Sequence, residues 1–212
     1  RQLTDHAVFD EQQTSWSEDG KRIVFLSNRQ PDPDMDVYAV DIFTMPAEGG
    51  EFTKLNTPRG GKNAPVFSPD GKWIAYYGAD DEGKMYENND IWVVSTDAQQ
   101  PARNLTEKYD FYAGDSVIND LGGIEPIPPI WSKDSRFVYF RTAENGSSMI
   151  KKVDVTNGDV SVVVGPGGDV GSLGFSQNQD AFIYCQGNMY DPSQIYYQAK
   201  GEKTPRKFTS IN

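Results

Sequence analysis

Histidine and cysteine are almost absent from this chain of 212 residues, which contains one of each, His6 and Cys185. A single cysteine excludes a disulfide within the chain and fits a reducing compartment, so we expect a cytoplasmic location. We interpret Cys185 as a small buried side chain at a strand end. His6 stands alone in a polar stretch, and a general base would need a serine or cysteine and a carboxylate as partners.

Other absences narrow the class of protein further. No apolar run reaches the roughly 18 residues that a membrane-spanning helix needs. Acidic residues outnumber basic ones, 31 against 20, and the net charge of -11 disfavours nucleic acid or a membrane surface as partner. The pattern Gly-x-Ser-x-Gly, which exposes the serine of an α/β-hydrolase, does not occur. The sequence therefore predicts no catalytic residue.

What the chain does contain is a fourfold repeat of an aromatic residue, a serine and a short polar turn. The four serines are separated by 51, 64 and 44 residues, spacings typical of the repeated units of propellers and solenoids. The four copies are residues 16–21, 67–72, 131–136 and 175–180.

Each turn is followed by three stretches of strand-forming residues. Asp-Gly and Asn-rich turns permit the positive φ angles that join antiparallel strands. With the strand that carries the aromatic residue, this makes four antiparallel strands per unit and predicts an all-β fold, a β-propeller of four-stranded blades. The stretches are 23–26, 73–77, 137–140 and 181–184, then 42–45, 90–94, 149–153 and 194–197, and finally 52–55, 102–106, 160–164 and 206–209.

The last strand of each unit is expected at the outer edge of its blade, because lysine and arginine there discourage pairing with other chains. Residues 103–106 and 206–209 fit this place, and residues 1–4 carry the same signature. Since propellers close with about four to eight blades, we expect about four blades of a larger propeller, beginning inside a blade. The predicted repeats cover residues 5–56, 57–108, 109–165 and 166–212 of one propeller fragment, 1–212.

Two patterns resemble ligand-binding motifs only in part. Residues 32–36 begin like a calcium loop, but Val37 stands where that loop needs glycine and Phe43 where it needs glutamate. Residues 165–168 are glycine-rich, yet Val170 replaces the last glycine of a dinucleotide fingerprint, and we interpret them as a turn between blades. The sequence therefore predicts no metal site and no cofactor.

The repeated turns resemble the WD40-like propeller repeats of the prolyl oligopeptidase family of serine peptidases and of the periplasmic protein TolB. A longer pattern is more discriminating, because it resembles the acylaminoacyl-peptidase branch of that family. This resemblance extends over nearly the whole chain. It rests on residues 89–94 (Asn-Asp-Ile-Trp-Val-Val), residues 103–106 (Arg-Asn-Leu-Thr), Asp110, Asp115 and residues 128–134 (Pro-Pro-Ile-Trp-Ser-Lys-Asp).

The resemblance implies a division of labour. Members of the family place an N-terminal propeller over a C-terminal α/β-hydrolase domain, whose Ser, Asp and His hydrolyse short peptides. That domain is missing from this sequence, so no catalytic residue can be carried over. We expect the propeller part of an acylaminoacyl-peptidase-like or dipeptidyl-peptidase-like enzyme, with short peptides and the hydrolase domain as partners. The propeller would restrict substrate access, and residues 79–89 and 109–129 are candidates for lining the route.

Two other functions stay open. A TolB-like propeller would bind proteins without catalysis, and a carbohydrate-active propeller would need several acids, histidines or a metal at its channel. A homo-oligomer is also possible, because an open arc of four repeats exposes the faces of its terminal blades and should self-associate or be marginally stable.

Overall fold

The computed structural model describes residues 1–36, 38–80, 88–114 and 127–210. In these ranges the chain forms four antiparallel sheets in succession, which we call blades 1 to 4. The helical structure within the same ranges is one 3-10 turn, Pro33–Met35, in the loop between two strands of blade 1.

Strands that follow one another in the sequence pair with one another in each blade, except that β9 of blade 3 pairs with β11 and not with β10. Blade 1 contains β1 (Gln12–Trp16), β2 (Arg22–Asn28), β3 (Val40–Pro46) and β4 (Thr53–Lys54). Blade 2 contains β5 (Lys62–Phe67), β6 (Trp73–Gly78), β7 (Asp90–Ser95) and β8 (Arg103–Asn104). Blade 3 contains β9 (Tyr112–Ala113), β10 (Ile130–Trp131), β11 (Phe137–Glu144), β12 (Ser147–Asp154) and β13 (Val160–Val164). Blade 4 contains β14 (Asp169–Phe175), β15 (Ala181–Gly187), β16 (Gln194–Ala199) and β17 (Arg206–Lys207).

These strands confirm the predicted all-β class and the four-stranded antiparallel unit. Each predicted stretch overlaps an observed strand, and the basic residues Arg103 of β8 and Arg206–Lys207 of β17 do lie on outer edges. The second and third strands of blades 1 and 3 are longer than the hydrophobic stretches that predicted them, because strand pairing continues into the polar residues at their ends. Residues 1–4 form no strand. Leu3 packs instead on Phe25 and Phe43 at the face of blade 1 that points away from blade 2.

The hydrophobic core lies between blades rather than inside any one of them. Successive side chains of a strand point to opposite faces, so a middle strand contributes to two cores. In β6, Ile74 and Tyr76 pack against blade 1, while Ala75 and Tyr77 pack against blade 3. A third cluster, containing Ile150, Val164, Val170 and Tyr184, joins blade 3 to blade 4.

The innermost strand of blades 1, 2 and 4 carries a β-bulge four residues before the repeated serine. The strand register shifts at that point in all three blades. One residue of each bulge has a positive φ, a conformation that side chains with a Cβ adopt at some cost in energy. The inner strand therefore bends at the bulge. The residues with positive φ are Gln13, Ala64 and Ser172.

Blade 3 interrupts its inner strand at the same place. Both β9 and β10 pair with β11, and only Phe140 and Arg141 of β11 lie between the two paired segments. Tyr112–Ala113 and Ile130–Trp131 are therefore two segments of one interrupted inner strand. Of the residues 109–129 that are expected to line the route, Tyr112–Ala113 belong to the sheet. The two-residue β9 gave no hydrophobic signal of its own.

Candidate functional site

The four aromatic-serine turns share a hydrogen-bond network that fixes the inner hairpin of every blade. In the first turn, the Ser17 hydroxyl donates to Asp19 Oδ1 (2.7 Å) and accepts from the backbone N–H of Arg22 (2.9 Å). The same Asp19 oxygen accepts from the N–H of Lys21 (3.1 Å). The fifth residue of each six-residue copy has a positive φ, which closes the hairpin. These residues are Gly20, Gly71, Ser135 and Gln179.

The turns of blades 2 and 3 repeat this network and that of blade 4 departs from it. Ser68 donates to Asp70 (2.6 Å) and Ser132 donates to Asp134 (2.5 Å). In blade 4, Asn178 takes the place of the aspartate, and Ser176 donates to Asp180 instead. The fourth turn therefore keeps its shape with a different acceptor.

The turn aspartates are held as structural anions. The hydrogen bond from the serine lowers the pKa of Asp19 and of Asp134, with the backbone N–H two residues on as a further cause. Burial alone would raise the pKa of Asp70, but the hydrogen bonds from Ser68 and from the N–H of Lys72 outweigh it, and that pKa is also lowered. A carboxylate in this state is unsuited to acid catalysis near neutral pH.

A cavity of about 550 Å³ lies where the four turns meet at the inner edges of the blades. Phe67, Trp131 and Phe175, the aromatic residues of three turns, form part of its wall. The third residue of each copy, the one position that differs in chemistry in every copy, also lines the cavity. These four residues are Glu18, Pro69, Lys133 and Gln177.

Hydrogen bonds between neighbouring turns hold this lining in place. The backbone N–H of Asp70 donates to the Ser135 hydroxyl (3.1 Å), which ties blade 2 to blade 3. Gln179 of blade 4 accepts from the N–H of Lys133 (2.9 Å) and donates to the carbonyl of Trp131 (3.0 Å). The positions around the cavity are therefore set by backbone contacts, while the projecting side chains are free to vary.

The chemistry available in the cavity is that of a binding site. Aromatic walls with a few polar groups of both charges suit an extended peptide or another small amphipathic ligand. Ser176 also lines part of the cavity, but its hydroxyl is engaged with Asp180 and with the backbone N–H of Ala181 (3.1 Å). No histidine stands beside it, because His6 is exposed and its ring contacts Phe9.

The remaining residues singled out by the sequence lie apart from this cavity. Cys185 is half-buried within β15, so its predicted place at a strand end is wrong. In the 32–36 loop, Asp36 pairs with Arg59 (2.7 Å), and Asn28 donates to the carbonyl of Pro33 (3.1 Å); Val37 lies outside the described residues. Residues 165–168 connect β13 to β14.

Neither a metal cluster nor a spanning helix is found in the part of the chain that the structure describes. Across those ranges, no group of three or more His, Cys, Asp or Glu side chains could hold a metal ion. The same residues contain no helix long and apolar enough to cross a membrane.

No family model matches the chain. Comparison with individual proteins does relate its sequence to known peptidases. The chain is 24% identical over 208 residues to dipeptidyl-peptidase 5 of Arthroderma otae. The predicted resemblance to peptidases of the prolyl oligopeptidase family is confirmed. The match covers 92% of this chain and 27% of the relative, so the chain spans about a quarter of the length of the curated relatives it matches.

Solved structures with the same fold are β-propellers. The propeller domain of the Trilobed protease from Pyrococcus furiosus superposes with a TM-score of 0.66 at 18% identity, over 98% of this chain and 56% of that one. Acylaminoacyl peptidase from Pyrococcus horikoshii gives 0.64 at 19% identity, over 96% and 27%. TolB from Acinetobacter baumannii gives 0.62 at 17% identity, over 90% and 42%. At these identities the structures establish the fold.

Proposed function

We propose that this chain is the non-catalytic propeller part of a serine peptidase that hydrolyses short peptides, and that its inner edges restrict which peptides reach the active site. The coarser statement, a portion related to peptidases with a propeller domain, is supported by dipeptidyl-peptidase 5. The hydrolase domain, the short-peptide substrates and a cytoplasmic location are part of the proposal, as are the repeat boundaries 5–56, 57–108, 109–165 and 166–212.

The observation that carries the proposal is the cavity at the inner edges. Part of its lining comes from one variable residue in each turn, so this part can change while the aromatic residue and the serine of the turn are kept. Pro129 and Ile130, where the interrupted inner strand of blade 3 resumes, also line the cavity. Of the two segments expected to line the route, residues 81–87 and 115–126 lie outside the described residues.

The peptidase assignment can be tested on the native gene product. Intact mass is measured before and after treatment with a fluorophosphonate, which labels activated serines. We expect a mass well above 23.6 kDa and one covalent adduct. A larger product that stays unlabelled would instead support the binding function described below.

Selection at the cavity is tested by narrowing it in the same full-length product. Gln177→Trp places a large side chain at an exposed turn position that lines the cavity. We expect kcat/KM to fall more for a hexapeptide than for a dipeptide substrate, because the longer chain must pass the narrowed inner edge. The matched control is Val162→Trp on the outer strand β13, where the side chain is already 55% exposed. Equal losses for both peptides would remove the access role and leave the peptidase assignment standing.

A second candidate function is that of a protein-binding platform. The cavity favours it because aromatic and polar side chains line it, and its one serine, Ser176, bonds to Asp180 and not to a general base. TolB shares the fold. In that case the native product would show no fluorophosphonate adduct, and Gln177→Trp would weaken capture of a protein partner.

A further inference from the structure

A hollow of about 250 Å³ lies between blades 3 and 4, beside the cavity at the inner edges. Lys133 and Gln179 line both spaces, so the hollow adjoins the cavity. Both of its walls belong to described strands and turns of these two blades. We call this hollow the basic groove and define it by Lys133, Asp134, Phe137, Tyr139, Lys152 and Lys200.

Three lysines from different parts of the two blades meet in the basic groove. Lys133 is the third residue of its turn, Lys152 lies near the end of β12, and Lys200 follows the end of β16. Lys133 and Lys200 are exposed, whereas Lys152 is half-buried. Because the chain as a whole contains 31 acidic and only 20 basic residues, this concentration of lysine runs against its average charge.

The equivalent positions at the other two blade junctions carry no basic residue. Each junction is formed by the third residue of a turn, the third-strand residue that pairs with the seventh residue after the turn serine, and, from the next blade, the residue that follows the third strand. Between blades 3 and 4, Tyr139 pairs with Lys152, and the N–H of Lys200 donates to the carbonyl of Asp180 (2.7 Å). The equivalent residues are Glu18, Thr44 and Thr96 between blades 1 and 2, and Pro69, Val93 and Val155 between blades 2 and 3.

The charges of the three lysines are not neutralised within the ranges that the structure describes, where none of them pairs with a carboxylate. The nearby carboxylate of Asp154 pairs with Arg136 instead (2.9 Å). Asp134 is the carboxylate of the basic groove, and it accepts hydrogen bonds from Ser132 and from the N–H of Arg136. The lining therefore places three ammonium groups against one carboxylate that already serves its own turn.

Aromatic rings supply the apolar wall of the basic groove. The Lys152 ammonium lies over the ring of Phe137, 4.5 Å from its centroid, and Tyr139 contacts Phe175 with the ring centroids 4.8 Å apart. The cation–π contact orients the ammonium and leaves its charge in place. Ammonium groups form strong charge-assisted hydrogen bonds with carboxylates, and aromatic walls accept apolar side chains. The basic groove therefore suits a peptide in which a carboxylate stands beside an apolar residue.

We propose that the basic groove binds a carboxylate of a peptide, from an acidic side chain or from the C-terminus, with an apolar neighbour against Phe137 and Tyr139. Lys152 makes the central contact, because it is the least exposed of the three lysines and water screens its charge least. Lys133 connects the basic groove to the cavity. This binding does not depend on hydrolysis, so it goes beyond the proposed function and is tested without turnover.

Equilibrium binding to the full-length native product tests the proposal. The product is first treated with the fluorophosphonate, so that no peptide is cleaved, and fluorescence anisotropy follows peptides with an uncharged fluorophore at the N-terminus. An acidic peptide has two glutamates between two phenylalanines and a C-terminal amide. A neutral peptide has glutamine in place of both glutamates, and a third peptide is the neutral one with a free C-terminal carboxylate. The three peptides distinguish acidic side chains from the C-terminus as the source of the carboxylate.

We expect at least one of the two peptides with a carboxylate to bind about tenfold more tightly than the neutral peptide at low salt. This advantage should shrink as NaCl is raised to about 0.5 M, because salt screens partly exposed charges. Lys152→Gln and Lys133→Gln should each reduce it about fivefold, while Lys152→Arg keeps the charge and should retain most of it. The matched control is Lys21→Gln, which removes an exposed lysine from the turn of blade 1 and should bind like the wild type.

The proposal is overturned if the three peptides bind alike, or if Lys152→Gln and Lys133→Gln bind the carboxylate peptides as the wild type does. An equal loss in Lys21→Gln would also overturn it, since the effect would then come from net charge alone. A nucleic-acid oligomer that binds more tightly than any of the peptides would assign the basic groove to phosphates instead. None of these outcomes changes the labelling or kcat/KM results, so failure here is separate from failure of the peptidase assignment.

Discussion

Blades 2 and 4 place apolar residues at equivalent positions of equivalent strands, and bury them to very different extents. Ile91 is fully buried while Ile195 is 41% exposed, and Leu105 is 5% exposed while Phe208 is 56% exposed. The pairing of the second strand with the third is the same in kind in both blades. Ile91 and Leu105 of blade 2 pack against blade 3. The burial of such residues therefore depends on the neighbouring blade and not on their own sheet.

The comparison also separates two sources of stability. Within a blade, the hairpin network of serine and aspartate needs no neighbour. Between blades, stability comes from apolar area removed from water, about 25 cal/mol for each Å². In such stacked repeats each unit contributes its own stability and one interface term. Equivalent substitutions in blades 2 and 4, or at the two ends of the chain, therefore measure the interface term directly.

The largest difference is expected between the two tryptophans. Trp131→Ala removes a buried ring and its hydrogen bond to Val66, and should lower the free energy of unfolding by about 3–5 kcal/mol. Trp16→Ala removes a ring that is 61% exposed and should change it by about 0.5 kcal/mol or less. Urea denaturation of the two variants measures both changes. Equal losses would mean that Trp16 is covered in solution.

A somewhat smaller difference is expected in the third strands. Ile91→Ala should cost about 2–5 kcal/mol of unfolding free energy, since the side chain is fully buried between blades 2 and 3. Ile195→Ala, at the same register in blade 4, should cost less than about 1 kcal/mol. The denaturant slope should stay constant in both variants. A large loss for Ile195→Ala would contradict the exposure of this side chain.

A still smaller difference in the free energy of unfolding is expected between the turns of blades 2 and 4. Ser68→Ala leaves the N–H of Trp73 without its partner at a fully buried position and removes one of the hydrogen bonds that Asp70 accepts, at a cost of about 1–2 kcal/mol. Ser176→Ala breaks the corresponding bonds where water can replace them, and should cost about 0.5 kcal/mol. Thermal unfolding of the two variants decides between this order and its reverse.

The smallest effect concerns the dependence of stability on pH. It comes from the turn aspartate of blade 3, Asp134, whose place in blade 4 is taken by Asn178. The pKa of Asp134 is lowered by its hydrogen bonds from Ser132 and the N–H of Arg136. Its contribution to stability is therefore present above the unfolded value of about 3.9 and is lost as the pH falls through the lower folded value.

Urea midpoints measured from pH 2 to pH 6 test this contribution. Asp134→Asn should flatten the decline in stability below about pH 4. Asn178→Ser, the change at the same turn position in blade 4, should leave the pH profile as it is in the wild type. A profile for Asp134→Asn that still matches the wild type would show that the turn carboxylate carries none of the decline.

The repeat unit could be predicted from the sequence because its signals are local. The serine, the aspartate and the residue with positive φ lie within one turn, and the strand after each turn is a short apolar run. These features located the hairpins of all four blades. The two-residue β9 escaped prediction because Tyr112–Ala113 gains its place only by pairing with β11, about 30 residues further on.

The cavity could not be predicted for a related reason. Four of its lining residues, Glu18, Pro69, Lys133 and Gln177, share a position in the turn without sharing any chemistry. A motif search discards such variable positions. Only the arrangement of the blades shows that this variable residue of every turn points toward a common space.

The bulge in the inner strands has a consequence for how such a chain can change in length. In blade 3, pairing with β11 is kept on both sides of residues 114–129, while blades 1, 2 and 4 fill the same point with a short bulge. The bulge therefore marks a position where residues can be inserted into the inner strand without shifting the register of its pairing with the next strand. Gln13, Ala64 and Ser172 mark three further places where a designer could graft a loop of choice beside the cavity.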